Sequence, residues 1–138
     1  AETRKIDPQI LLSARLYPDM FAFTRQVQLA SDFAKGGAAR IAGVDVPSYA
    51  DTETSFEELE GRIAKTIAFI NSIPKDKFVD AETRDITVPM RPEPRVFNAL
   101  TYLRHGALPN FFFHTTTAYD ILRHNGVELA KRDFLGVY

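Results

Sequence analysis

The stretch 107–126, ALPNFFFHTTTAYDILRHNG, decides the fold, because it sets a single histidine inside an aromatic run with helical spacing. Phe111, His114, Ala118, Leu122 and Asn125 recur three or four residues apart, so they share one stripe of a helix and His114 should face a core. A buried imidazole needs a partner, which can be a metal, a polar side chain or a backbone carbonyl. Asn125-Gly126 is a good place for this helix to stop, with Gly after its last turn and His124 near the negative end of its dipole. Upstream, Asn98 can cap a helix that starts at Ala99-Leu100 and carries Tyr102 and Leu103. Gly106 and Pro109 predict a kink between the two pieces, with His105 free to cap carbonyls there.

Working toward the N-terminus, Ile86, Val88 and Met90 alternate with Thr87 and Pro89, and Val96-Phe97 follow a turn-like Arg91-Pro92-Glu93-Pro94. This predicts a small hairpin, restricted by Pro89 to an edge or irregular pairing. Ser55 and Glu58 have the spacing of a capping box, and Phe56, Leu59, Ile63, Ile67 and Ile70 form the apolar stripe of the helix it opens. Pro74 ends that helix by pushing Ile73 out of the helical region. An earlier helix is expected to open at Pro18-Asp19, with Met20, Phe23, Val27, Ala30 and Ala34 at helical steps, and to reach Gly43. Gly36-Gly37 should fray or kink it, at about 1 kcal/mol per Gly relative to Ala. Residues 43–54 read as a loop, and Val127 to Tyr138 as a mostly irregular tail pinned by Leu129, Phe134 and Leu135.

The whole chain, 1–138, reads as one domain, large enough to bury a core. It has 11 Phe and 5 Tyr but no Cys or Trp, which excludes disulfides, thiolate nucleophiles and Cys-ligated zinc. With 17 basic and 18 acidic residues interspersed, no footprint for nucleic acid or an anionic membrane stands out. No apolar run reaches the length of a membrane span, and a cytoplasmic location is the default expectation. Three helices with broad apolar faces want a fourth. The chain opens at Ala1 in helix-compatible sequence without Met, so residues are expected to precede it.

The three histidines lie nine and ten residues apart, whereas two imidazoles that share a metal from one helix usually sit four apart. A hydrogen-bonded core histidine is therefore the expectation for His114, ahead of a ligand or a base. Thr115, Thr116 and Thr117 should bond back to carbonyls one turn earlier. On the earlier helix Gln28 and Asp32 lie one turn apart and are candidates to face His114.

The segments ALPNFFFHTTTAYDILRHNG, DMFAFTRQVQLASDFAK and KRDFLG resemble a bacterial family of unknown function grouped with the DinB-like and YfiT-like helical bundles, over nearly the whole chain. The resemblance implies an all-α, up-down four-helix bundle with a long crossover between its second and third helices, often a homodimer. Its first helix would precede this chain, with residues 1–6 as the end of that region. Some members of the wider superfamily are metal-dependent enzymes, among them thiol transferases and isomerases, which hold the metal with three histidines, two of them four apart on the last helix. Counted back from Gly126, His114 matches the second of that pair, and the first falls on Asn110. The helix after the missing one carries no histidine. A degenerate metal site follows, with His114 as its one ligand position and a divalent transition metal as the cofactor the full site would use. The favoured reading is a binding or interaction module in which Asn110 and His114 form a buried polar pair. The alternative is a metal- or base-dependent thiol transferase using His114, in an apolar pocket for a small ligand lined by Phe111, Phe112, Phe113 and Tyr119, with Asn110 and Asp32 or Gln28 as polar partners.

Overall fold

The computed structural model describes residues 5–136; residues 1–4 of the expected preceding region and 137–138 of the tail lie outside them. It is an α-helical bundle that carries one small hairpin. A short helix, α1 (Pro8–Ser13), is capped by Asp7, whose carboxylate accepts the Gln9 amide at 2.9 Å, and it buries Leu11 and Leu12. The helix expected from Pro18 begins later, as α2 (Phe23–Ala42). Pro18 and Asp19 sit instead in a turn closed by Met20 N–H to the Tyr17 carbonyl at 3.0 Å. Packing against α1 sets the start: the Phe23 amide donates to the Ala14 carbonyl at 2.9 Å and the Thr24 hydroxyl to that of Leu12 at 3.1 Å.

Neither Gly36 nor Gly37 interrupts α2. A Cβ on Gly37 would lie 3.1 Å from the Ala107 Cβ, so this glycine allows close approach of a later helix. Gly43 ends α2 at φ 69°, with Val44 N–H to the Ala39 carbonyl and Gly43 N–H to that of Arg40, a Schellman closure that a side chain would strain. The Arg84 guanidinium also donates to the Ile41 carbonyl, at 2.6 Å.

Helix α3 (Phe56–Ser72) starts and stops as its sequence predicts. Ser55 accepts the Glu58 amide at 3.1 Å, and the Glu58 carboxylate takes the amide and hydroxyl of Thr54 at 2.6 and 3.0 Å. These bonds, the Thr54 amide foremost, hold the Glu58 carboxyl below its usual range. Only the start of the apolar stripe, Phe56 and Leu59, forms the seam with α2, however. Leu59, Arg62 and Thr66 are the buried residues, while Ile63 and Ile67 are 42% and 53% exposed.

After two 3-10 turns (Lys75–Phe78 and Ala81–Thr83), β1 (Asp85–Val88) pairs antiparallel with β2 (Arg95–Asn98) in the register Ile86 to Phe97 and Thr87 to Val96. Pro89 falls just beyond β1, where it removes no ladder bond. Asn98 caps α4 (Ala99–Tyr102) by accepting the Leu100 and Thr101 amides at 3.1 and 3.4 Å. At the position of the expected kink, a π-helical turn (Leu103–Ala107) leads directly into α5 (Leu108–His124). Pro109 sits in the first turn of α5, where a missing N–H is tolerated. The tail is less irregular than expected, since Lys131–Leu135 form α6, started by the Asp133 carboxylate on the Ala130 amide at 2.6 Å. Phe134 meets Tyr119 edge to face at 5.8 Å, while Leu135 is exposed.

Both α3 and α5 pack along α2 and are splayed from one another. One core joins Leu12, Phe23, Leu59 and Ile121, with Phe23 and Phe56 rings 5.5 Å apart. A second joins Ile86, Ala99, Tyr102 and Ala107 under the hairpin.

Candidate functional site

His114 is 8% exposed on α5, and its partner comes from α2. Its Nδ1 lies 2.7 Å from the Gln26 Oε1. The Gln26 amide nitrogen donates to the Phe21 carbonyl at 3.0 Å, so its oxygen must face the ring, and Nδ1 is the protonated nitrogen. Nε2 then carries the lone pair. Phe33 stacks on the imidazole at 5.5 Å and 15°, and Phe113 meets it edge-on at 5.2 Å. Burial, and then the positive charge of Arg25, push its pKa down, so the ring is neutral near pH 7. Chemically, this arrangement holds a neutral imidazole in one tautomer, the second-sphere pattern that also orients ligating histidines.

The other residues picked out in the sequence are distributed over four places. Asn110 does not bond to His114; its amide nitrogen donates to the Gly106 carbonyl at 2.8 Å, at the junction of the π turn and α5. Phe111 and Tyr119 line a groove between α3 and α5, whereas Phe112 and Phe113 are half exposed on the outer surface. Gln28 and Asp32 face α3 and the loop 43–55, not α5. Thr115 and Thr117 bond back to the carbonyls of Phe111 and Phe113 at 2.8 and 2.7 Å.

Gln28 and Asp32 belong to an ionic cluster centred on Arg62, whose side chain is 2% exposed. Arg62 reaches Asp32 at 2.9 Å, Asp51 at 3.0 Å, Glu53 at 2.9 Å and the Ala50 carbonyl at 3.1 Å. Asp51 also pairs with Arg25, Glu53 accepts from Gln28 at 2.8 Å, and Lys35 pairs with Asp32 at 2.6 Å. The Tyr49 ring lies under Lys35, Arg62 and Lys65 at 4.7, 5.4 and 4.3 Å. Burial alone would raise the Glu53 carboxyl, yet the bonds from Arg62 and Gln28 outweigh it and hold it below its usual range. Burial likewise disfavours the charge on Arg62, and its three carboxylates more than restore it. The cluster leaves one buried atom, Arg62 Nε, without a partner among the described residues. It fastens the loop 43–55 to the bundle.

Two openings flank the His114 stripe. The larger, about 620 Å³, runs between α3 and α5 over the floor of α2, with Val27, Ile63, Ile67, Phe111, Tyr119 and Phe134 among its walls. The smaller, about 320 Å³, lies between α2, the hairpin and the π turn, and brings Arg40, Tyr102, His105 and Asn110 together. His105, expected to cap carbonyls near Pro109, borders this second opening.

A bundle of antiparallel helices with a hairpin in its crossover and one neutral histidine buried on its last long helix defines the class. The chain belongs to the family described as a domain of unknown function, DUF1993, whose model matches residues 1–135. It is similar to a DinB family member protein from Shewanella denitrificans, whose crystal structure superposes with a TM-score of 0.92 at 40% identity. That match covers 100% of this chain and 78% of the Shewanella chain. No curated relative matches. Among the described residues no helix is long and apolar enough to cross a membrane.

The superfamily's three-histidine centre does not fit these residues. Position 110 is an Asn whose amide is committed to Gly106, and the residue of α2 that meets His114 is Gln26, not an imidazole. Among the described residues no three His, Cys, Asp or Glu side chains converge on a point that could hold a metal.

Proposed function

We propose that this DinB-like domain is a binding module whose apolar groove between α3 and α5 accepts an amphipathic helix, and that Asn110 and His114 are the remnant of a lost metal centre. The groove carries the reading. Two helices splayed along a third leave a trough with the geometry of the missing member of a four-helix bundle, and its walls are the aliphatic residues of α3 that the seam with α2 does not use. An exposed apolar face of this extent marks an interaction surface. The helix is supplied by a second copy in a homodimer, or by a segment equivalent to the 22% (100 − 78) of the Shewanella chain that lies outside the match.

Sedimentation and binding of the apolar dye ANS, measured side by side on this chain and its Ile67→Glu variant, test the proposal. Ile67 is half exposed on the groove wall, so the variant should fold. The expected result is stoichiometric dye binding by a monomer, or self-association, either one lost in Ile67→Glu. A monomer that binds no dye would overturn it. Metal content after purification without chelator, compared with His114→Ala, checks the remnant: stoichiometric transition metal that disappears in the variant would restore the metal-dependent transferase as the better reading.

A further inference from the structure

We propose that the smaller opening, between α2, the hairpin and the π turn, is a binding site for a small organic carboxylate with an apolar or aromatic body. Its charged group is Arg40. The guanidinium folds back over Gly36, where a Cβ would come within 2.5 Å of it, so the glycine makes the room that the cation occupies. The partner of this guanidinium among the described residues is neutral: it donates to the Tyr102 hydroxyl oxygen at 3.2 Å. No carboxylate pairs with Arg40 among the described residues, in contrast to Arg25 and Arg62. Because Tyr102 accepts from Arg40, its own O–H is free to donate. Tyr102 is in turn seated against Gly106, where a Cβ would lie 3.0 Å from its ring.

The opening therefore presents a guanidinium and a hydroxyl as donors, and no acidic side chain among the described residues borders it. That pairing matches a carboxylate, which takes charge-assisted bonds from a guanidinium fork. Beside the polar Thr101, His105 and Asn110, the walls Phe33, Val88, Met90 and Phe97 are apolar and suit a ring or branched chain. A volume of about 320 Å³ limits the occupant to a small molecule. The π turn that separates Tyr102 from Asn110 is the kind of local irregularity that recurs at functional sites.

Benzoate is the probe, with benzamide as its uncharged counterpart, titrated into isotope-labelled protein and followed by NMR. Saturable benzoate binding is expected, with shifts at Arg40, Phe97 and Tyr102, and with benzamide and Arg40→Met each weaker by about tenfold or more. Tyr102→Phe removes only a hydroxyl and should weaken benzoate by a few-fold, which keeps the test valid if Arg40→Met does not fold. Equal affinity for benzamide, unchanged binding in either variant, no saturable binding, or shifts confined to Ile63 and Ile67 of the other groove would overturn the proposal.

Discussion

Helix α2 makes two seams, and they are built on opposite principles. Against the π turn and α5 it uses close contact and neutral groups: Gly37 meets Ala107, Phe33 stacks on His114, and one hydrogen bond from His114 to Gln26 satisfies the buried polarity. Against α3 it uses charge, with Arg62 drawing Asp32, Asp51 and Glu53 together. This contrast explains why α3 has an apolar face to spare. A helix fixed by an ionic hub, Phe56 and Leu59 does not need Ile63 and Ile67 in the seam, and these remain available to the groove.

Arg62→Ala should disturb the α2/α3 seam most. It leaves partly wet carboxylates facing one another, so the loss should fall at the low end for a disrupted buried pair, about 3 kcal/mol in urea unfolding. A loss below about 1 kcal/mol would show that the ionic seam is ornamental. Next in size, Gln26→Ala strands the imidazole N–H and should cost about 1–3 kcal/mol.

The two seams should also separate by pH. The folded pKa of His114 is lowered, so the unfolded chain takes up the proton first. Stability from this seam is complete above the ordinary histidine value of about 6.5, declines as pH falls from there to the folded value, and is then flat. Replacing His114 by Phe should abolish that step. The Glu53 carboxyl is also lowered, and its contribution is present above 4.5 and lost as pH falls through the folded value. A single acid transition unaffected by His114→Phe would contradict two independent seams. The smallest effect belongs to Gly61→Ala, on the exposed side of α3 with nothing within 4 Å of the added Cβ. It should stabilise by about 0.5–1 kcal/mol and leave both seams untouched.

What could be read from the sequence was whatever local chemistry decides. Ser55 and Pro74 bound α3, Asn98 caps α4, and alternation around Ile86 and Val96 makes the hairpin, since each signal acts within a few residues. The start of α2 was misplaced because docking of α1, not Pro18, sets it. Gln26 was missed for a tertiary reason: it and Gln28 are two residues apart, on different sides of the helix, and the sequence does not announce which side meets α5. The spacing Phe23, Gln26, Ala30, Phe33 and Gly37 is the stripe that would have pointed to it. Nothing in the local pattern marks Arg62 as buried, and the acidic Asp51 and Glu53 upstream are the one signal of charges that could draw it in.

Arg84 has a consequence beyond its own bonds. Its side chain holds the Ile41 carbonyl at the end of α2, while its backbone carbonyl accepts the Ala99 amide, at 2.8 Å, where α4 begins. One residue thus rivets two helix ends that are far apart in the chain, and the hairpin between them is clamped at its base. Hydrogen exchange at Ile86 and Phe97 should follow that of the last turn of α2, so the hairpin opens as part of a larger cooperative unit and not as a flap.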